Sequence, residues 1–252
     1  MSGKGRSPMA DGRNERVNDF HPEFLRPVEH VCEPDPRNTV YVILDPENGE
    51  RPLDIRDQHA SIRRFNLNKG VPEDVVFQFE TAKNLYLYAW FVYRFYPVAE
   101  HQALACLELA LRKQFEKALM KERLERSKKH EPSKKIQKPS LRPLLRYAIS
   151  HNHIRHEGFQ RWHEAARRRA EHRYQIEKVD EMYKKGLSSI DCDYSEVMIT
   201  DADRNWKYLD ILQEKLPELR NLYAHGTSNL DNQVLGTIEA VSEMINQIYP
   251  VE

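Results

Sequence analysis

The chain has 252 residues, of which 40% are hydrophobic and 31% are charged, so it is long enough to bury one large core. Its three cysteines are odd in number and widely separated, which is no disulfide framework and suits a reducing cytoplasm. Residues 1–16 lack the apolar segment of a secretory signal, and the longest apolar run, residues 85–99, is too short for a membrane span. We therefore expect a cytoplasmic protein with no membrane partner.

The charges are unevenly distributed, although the formal net charge is zero. Residues 111–178 contain 20 Lys and Arg against 8 Asp and Glu, and the rest of the chain contains 19 against 31. A basic segment of this kind attracts polyanions.

The N-terminal part of the chain predicts little helix. Residues 1–20 are rich in Gly, Ser, Arg and Asn and are predicted to be disordered. The segment 21–70 is predicted to be extended, because several prolines punctuate its first half. The β-rich run 39–44, an Asn-Gly turn and a return strand over 51–55 predict a small hairpin that packs against a helical body.

Two long helices are predicted next. A proline and two acids at 72–74 are typical of a helix start, and the helix is expected to run over 73–96 until Pro97 ends it. The second helix begins near residue 99 and ends in a charged segment that projects into solvent. Its buried stripe, at three- and four-residue spacing, is Leu104, Leu107, Leu111, Phe115 and Leu119.

Residues 130–185 are interpreted as a basic helical insertion, with a linker to about residue 140, a short helix over 141–150 and a long helix over 157–185. The arginines of the long helix, with Trp162 interleaved, suit a phosphate backbone and a stacked base. The nucleic-acid-binding candidates are Arg161, Arg167, Arg168, Arg169 and Arg173. The alternative is a solvated helix face, since glutamates along this helix can pair with these arginines.

Two C-terminal helices complete the domain, which spans 71–252. Asp201 or Asp203 is expected to cap the first of them, and Asp231 the second, which covers about 232–249. The buried stripe of the first is Leu209, Leu212, Leu216, Leu219 and Tyr223. The predicted fold class is an all-α helical bundle with a small N-terminal β-hairpin.

The residues best suited to chemistry lie where the penultimate helix ends. Arg220, Asn221 and His225 are off its buried stripe, and Gly226 follows them. Asn221 and His225 are about 40° apart around the helix, whereas Arg220 and His225 are roughly 140° apart. An imidazole can move protons to and from a ribose 2′-hydroxyl and a leaving oxygen, and a guanidinium can hold the developing charge on phosphorus. This set is what metal-free RNA cleavage requires.

The segment 219–226, with the sequence Leu-Arg-Asn-Leu-Tyr-Ala-His-Gly, resembles the Arg-x(4–6)-His signature of HEPN domains. The resemblance implies a helical bundle, a homodimer and a metal-independent endoribonuclease with no cofactor. It implies Arg220 and His225 as catalytic residues, Asn221 as an auxiliary residue, and a composite site where two such helices meet. It also implies an RNA substrate, a toxin or phage-defence setting and an antitoxin protein as a further partner.

The spacing alone is not distinctive, because Arg16–His21, Arg146–His151 and Arg167–His172 share it. The amphipathic helix beneath the motif, its Asn and its Gly distinguish 219–226. Two alternatives stay open: a plain helix C-terminus with a glycine cap, and a non-catalytic HEPN-like module that dimerises or binds nucleic acid or protein.

Metal binding is not favoured. The histidines at 151–156 have no cysteine nearby and are typical of a polar helix junction. The acidic run 191–193 is a short loop without spaced partners.

Overall fold

The computed structural model describes residues 21–45, 49–130, 137–228 and 230–251, and within these ranges the chain is mostly helical with one two-stranded sheet. The helices are α1 (Ile55–Arg63), α2 (Glu73–Tyr88), α3 (Phe95–His130), α4 (Leu141–Ser150), α5 (Gln160–Lys185), α6 (Asp201–Arg204), α7 (Tyr208–Ala224) and α8 (Leu235–Ile248). The antiparallel strands are β1 (Val42–Asp45) and β2 (Gly49–Pro52). A mostly helical body with a small hairpin is thus confirmed, while the predicted disorder of residues 1–20 lies outside the described residues.

The central element is α3, against which α2, α4, α7 and α8 all pack. The whole predicted stripe of α3 is buried, and Leu104, Leu107 and Leu111 have no exposed surface. The facing side of α8 is equally buried at Ile238 and Ile245. Because a fully buried aliphatic side chain contributes about 1.5–3 kcal/mol, this helix organises the core. No helix in the described ranges combines the length and apolar character that a membrane span needs.

The predicted C-terminal boundary of the helix over 73–96 is wrong, and Pro97 does not terminate this helix. The structure ends α2 at Tyr88 and starts α3 at Phe95, so Pro97 lies in the first turn of α3. A proline is tolerated there because first-turn N–H groups have no partner within the helix. The break falls at 89–94 because backbone carbonyls in that stretch accept hydrogen bonds from the N-terminal arm, residues 21–41.

Two residues anchor this N-terminal arm to the break. The Asn38 amide donates to the carbonyls of Ala89 and Trp90 at 2.9 and 3.0 Å. Asp35 has no exposed surface, accepts the Tyr93 N–H and pairs with the Arg37 guanidinium at 2.8 Å. Burial raises the pKa of Asp35, but the hydrogen bonds from Arg37 and the backbone outweigh this and lower it overall. The arm is therefore part of the folded body.

We predict that Asp35→Ala lowers the free energy of unfolding by about 2–3 kcal/mol, since it leaves the buried Tyr93 N–H without its acceptor and leaves the Arg37 guanidinium paired with Glu23 alone among the described carboxylates. Urea unfolding at pH 7 measures this. The exposed Asp191→Ala variant is the matched control and is expected to unfold like the wild type. Equal stability of both variants would contradict the role given to Asp35.

The segment 21–70 is not wholly extended, because it contains the nine-residue helix α1. Asp54 caps this helix by accepting the N–H groups of Arg56 and Asp57, and the Asp57 carboxylate in return accepts the Asp54 N–H. This capping box starts α1 within a segment that the spacing of its prolines predicts to be extended.

Within the segment 130–185, which the sequence predicts to be an insertion, α4 is part of the core. Leu141, Leu144 and Leu145 are at most 1% exposed, and α4 packs on both α3 and α7. The core continues through Trp162 in the first turn of α5. The exposed apolar side chains of α5, Ile176, Val179 and Tyr183, lie in its later part, so α4 and the start of α5 form a structural layer of the bundle.

The first predicted C-terminal helix is divided into α6 and α7, and the second starts later than predicted. Thr200, not an aspartate, is the N-cap of α6, and the Asp203 carboxylate accepts a hydrogen bond from the Thr200 N–H. A break at 205–207 then separates α6 from α7. Asp231 accepts the Gln233 N–H in the turn before α8, whose first residue is Leu235.

A half-buried carboxyl joins α8 to the start of α5. Glu243 Oε1 accepts the Gln160 N–H at 2.8 Å, while its Oε2 is buried without a hydrogen-bond partner in the described chain. Burial, with the nearby Glu239 and Glu164, raises the pKa of Glu243 to about 7. The folded protein therefore binds this proton more tightly than the unfolded chain.

We predict that the protein loses stability as the pH rises from about 4.5 to 7. In this window Glu243 is already deprotonated in the unfolded chain but still protonated in the folded protein, so each rise in pH favours unfolding. Above pH 7 Glu243 is deprotonated in both states, and the loss of stability is complete. The loss is on the order of 1 kcal/mol, since solvent screens a half-buried group. Thermal unfolding across this range tests it: Glu243→Gln should flatten the profile, and the exposed Glu125→Gln should not. An unchanged slope in Glu243→Gln would refute it.

Candidate active site

The predicted motif lies at the exposed end of α7. Leu209, Leu212 and Leu216 are buried, as their spacing predicts, and hold α7 against α3 and α4. The helix closes where the His225 N–H donates to Asn221 O. Gly226 follows with φ of +84°, a left-handed conformation that glycine adopts without strain. The helix therefore ends with the side chains of residues 220–225 at its exposed C-terminal end.

Arg220 is fixed by a buried carboxylate on α3. Its Nε donates to Glu108 Oε2 at 3.1 Å, and Glu108 is only 6% exposed. The other oxygen of Glu108 accepts from Arg112, one turn further along α3. Two guanidinium groups thus flank the Glu108 carboxylate, and Arg112 also lies 3.9 Å from a Glu116 oxygen. Within the described chain the terminal nitrogens of Arg220 have no partner, so the edge that would hold a phosphate is open.

Asn221 and His225 are both exposed to solvent. Among the residues that the structure describes, neither side chain has a hydrogen-bond partner. An imidazole that only terminated the helix structurally would be expected to bond to a nearby carbonyl. The Asn221 amide and the His225 ring are instead available to a ligand.

The other described pairs with the same spacing differ from this one. His151 at the end of α4 lies 2.9 Å from Tyr147 O and 3.3 Å from a Glu122 oxygen, so its ring is committed within the fold. Arg167 is paired with Glu171 and also donates to a backbone carbonyl. Arg16, of the remaining pair, is outside the described residues. Only at 220–225 are the imidazole and the guanidinium edge both uncommitted, among the pairs the structure describes.

One chain does not bring Arg220 and His225 together. Arg220 faces α3 and is half-buried, while His225 lies beyond the last turn of α7 on the solvent side. This agrees with the roughly 140° expected from helical geometry. A site that combines the Arg220 guanidinium with an imidazole would therefore need a second copy or another imidazole of the same chain.

A second buried carboxylate lies two turns earlier on α3. Glu100 is 5% exposed and accepts hydrogen bonds from the Tyr223 phenol of α7 and the Thr237 hydroxyl of α8. Burial raises the pKa of Glu100, although both hydrogen bonds oppose the change. Three helices therefore meet on one carboxyl group beside the candidate site.

His101 is the second imidazole near Arg220. Its ring centroid lies 6.2 Å from that of Tyr223, and in the described chain it has no hydrogen-bond partner. Burial lowers the pKa of His101, and the positive charge of Arg220 lowers it further. Sequence patterns gave His101 no role.

Most of the arginines predicted to bind nucleic acid support the fold of the 194–206 segment. Arg169 donates to Asp203 O, and Arg173 pairs with the Asp203 carboxylate at 3.0 Å. Arg167 donates to Tyr194 O. Arg161 lies over Gly236, where a Cβ would approach its Nη1 to 3.0 Å. Arg168 is exposed, and no protein group in the described chain binds it, so it is the best placed of the five to meet RNA.

The side chains around Arg220 and Tyr223 that sequence patterns missed are Glu100, His101, Glu108 and Arg112, all on α3. A signal for Glu108 is present: it is the one charge in the otherwise uncharged run 102–111. A charge within a buried stripe needs a partner, so such a position predicts an ion pair with another helix. The described ranges contain no group of three or more His, Cys, Asp or Glu side chains that could hold a metal ion.

The chain matches no protein-family model, no curated protein and no solved structure. The resemblance of residues 219–226 to the HEPN signature therefore depends on those residues alone. The geometry around Arg220 carries the functional argument.

We predict that Tyr223→Phe lowers the free energy of unfolding by about 1–2 kcal/mol, because Glu100 loses one of its two hydrogen-bond donors inside the bundle. Chemical denaturation measures the change. Tyr183→Phe, at a residue 75% exposed, is the matched control and should have no effect. Equal stability of the two variants would show that the Tyr223 bond adds nothing.

Proposed function

We propose that this protein is a metal-independent endoribonuclease of the HEPN type that acts as a homodimer. Arg220 holds the scissile phosphate, His225 transfers a proton and Asn221 orients the phosphate or the imidazole. The observation that carries the proposal is the combination at the end of α7: a guanidinium anchored by its Nε to buried Glu108, with its terminal edge open, and an exposed, uncommitted imidazole.

The electrostatics of this surface support a phosphate ligand. Glu108 anchors Arg220 through its Nε, so the terminal nitrogens of the guanidinium can still donate to a phosphate. A pre-positioned guanidinium stabilises the charge that develops on phosphorus in the transition state. An anchored side chain also loses little conformational freedom when RNA binds.

A two-chain site follows from the divergence of Arg220 and His225. In a two-fold dimer built on the ends of α7, the imidazole of one chain reaches the guanidinium of the other. Leu222, 43% exposed, and Ala224, also exposed, lie on the same end of the helix and provide an apolar contact for such an interface.

The activity test is cleavage of total RNA by the purified protein in excess EDTA. We expect wild-type cleavage to persist and to fall by about 10²–10⁴-fold in His225→Ala and by about 10²–10³-fold in Arg220→Gln. His172→Ala, which removes an exposed imidazole from another Arg-x4-His pair, is the control and should cleave normally. Absent wild-type cleavage, or full activity in His225→Ala, would refute the enzyme proposal.

Mixing two inactive variants tests the two-chain site. In a heterodimer of Arg220→Gln and His225→Ala, one of the two sites regains both groups and the other has neither. Random assortment at equal concentrations then restores about a quarter of wild-type activity. No recovery despite subunit exchange, or a monomer in sedimentation, would rule out the composite arrangement.

The resemblance extends the proposal to a toxin or phage-defence effector that an antitoxin protein restrains. Expression in bacteria should then slow growth for the wild type but not for His225→Ala at equal protein level. Unimpaired growth with active enzyme present would separate the nuclease proposal from the toxin proposal.

The alternative function is a non-catalytic binding module. The observation that favours it is the Arg220–Glu108 ion pair, which gives Arg220 a structural role of its own. This alternative predicts RNA or protein binding that survives His225→Ala, without cleavage by the wild type.

A further inference from the structure

One face of α3 beside the candidate site carries His101, Ala105 and Glu108. His101 and Glu108 are seven residues apart, so they lie within about 20° of each other around the helix and about 10 Å apart along it. Ala105 lies between them and is exposed. Because its side chain is a single methyl group, Ala105 leaves a space, called the notch, between the imidazole and the Glu108–Arg220 ion pair.

Arg220 and Tyr223 of α7 form the other wall of this notch. The Tyr223 ring lies beside His101, with a centroid distance of 6.2 Å, and its phenol is fixed on Glu100. Arg220, one turn earlier on α7, is fixed on Glu108. The two helices are thus pinned at both ends of the notch, and the charge of Arg220 reaches the His101 ring.

We propose that His101 is a catalytic residue, the general base that works beside Arg220 of the same chain, while His225 of the second copy is the general acid. This inference rests on the proposed ribonuclease function. It places a half-site, made of the Arg220 guanidinium and the His101 base, within one chain. Arg220 and His225 of the same chain do not form such a half-site.

The chemistry balances without a co-reactant. The neutral His101 imidazole takes the proton of a ribose 2′-hydroxyl, and the 2′-oxygen forms a bond to phosphorus. The bond from phosphorus to the 5′-oxygen breaks, and the His225 imidazolium protonates that oxygen. Arg220 stabilises the added negative charge on the phosphate oxygens. The products are a 2′,3′-cyclic phosphate and a 5′-hydroxyl end, and the two imidazoles have exchanged protonation states.

The surroundings of His101 suit a base. Burial and the Arg220 charge lower the pKa of His101, so the ring is neutral at physiological pH. No hydrogen bond within the described chain occupies its lone pair. The acidic groups nearby are already committed, since Glu100 accepts from Tyr223 and Thr237 and Glu108 is bound between two arginines.

The first test compares His101→Ala with His59→Ala, which removes an exposed imidazole from α1. We expect a 10²–10⁴-fold loss of cleavage for the former and none for the latter. Added imidazole should rescue His101→Ala by entering the notch, and Ala105→Trp, which fills the notch without removing a functional group, should abolish both cleavage and rescue. Full activity in His101→Ala would overturn the proposal. A loss that imidazole does not rescue would also overturn it, because a folding defect behaves in that way.

Complementation between variants assigns His101 to a half-site. His101→Ala mixed with His225→Ala should recover about a quarter of wild-type activity, because one site in each heterodimer then has every group. His101→Ala mixed with Arg220→Gln should recover none, because both groups belong to the same half-site. Recovery in the second mixture would place His101 and Arg220 in different half-sites and refute the proposal.

A binding measurement separates failure of this inference from failure of the ribonuclease proposal. A 2′-O-methyl RNA oligonucleotide cannot be cleaved, and its titration can be followed through the histidine ring signals by NMR. A phosphodiester bound at Arg220 should raise the pKa of His101, because an added negative charge favours the imidazolium. A His101 signal that does not respond to bound RNA overturns the inference even if the wild type cleaves. If the His101 signal responds but the protein does not cleave RNA, the binding site at Arg220 is supported and the ribonuclease proposal is refuted.

Discussion

Burial of the Glu108 carboxylate in the middle of α3 is the constraint on which the arrangement of α3 and α7 depends. Removing a carboxylate from water costs several kcal/mol unless cations and hydrogen bonds replace the solvent. Arg112 supplies one cation from the same helix, and Arg220 supplies the other from α7. Satisfying this charge fixes the rotation of α7 about its axis: Arg220 has to face α3, and His225, beyond the last turn, then faces solvent.

Glu100 imposes the same requirement at a second level. Its hydrogen bonds from Tyr223 and Thr237 locate the end of α7 and the first turn of α8 on α3. With two buried carboxyl groups on one helix, α7 can neither slide nor rotate without leaving one of them unsatisfied. The candidate site is therefore built on three mutually fixed helices, which position side chains more precisely than a loop does.

Sequence periodicity was sufficient for the elements whose stability comes from apolar burial. The stripe from Leu104 to Leu119 and the first three residues of the α7 stripe, Leu209, Leu212 and Leu216, lie in the core, because helical spacing places them on one buried face. Periodicity was insufficient where polar tertiary contacts decide. The break between α2 and α3 is set by Asn38 and Asp35, which lie far away in the chain.

The candidate site likewise contains residues that the sequence predicts and residues that only tertiary packing brings together. Arg220, Asn221 and His225 were found because they are close in sequence on one helix, and the structure leaves them accessible. His101 and Glu108 were missed because they reach Arg220 only through the packing of α3 on α7. The core position of α4 was also missed, since a basic flanking sequence conceals a helix with four buried apolar residues.

The N-terminal arm has a different consequence, for the tolerance of the chain to mutation. Most of its anchoring bonds end on backbone groups of the α2–α3 break, at the carbonyls of Ala89 and Trp90 and the N–H of Tyr93. Every residue type except proline offers both groups, so these backbone bonds do not depend on the side chains of the break, unlike the ion pair of Arg94 with Glu23 and the contact of Arg37 with the Tyr93 ring. The arm, in contrast, depends on the individual side chains of Asp35 and Asn38. The two partners of this contact are therefore under unequal constraint: substitutions in the arm break it, while many in the break leave the bonds intact.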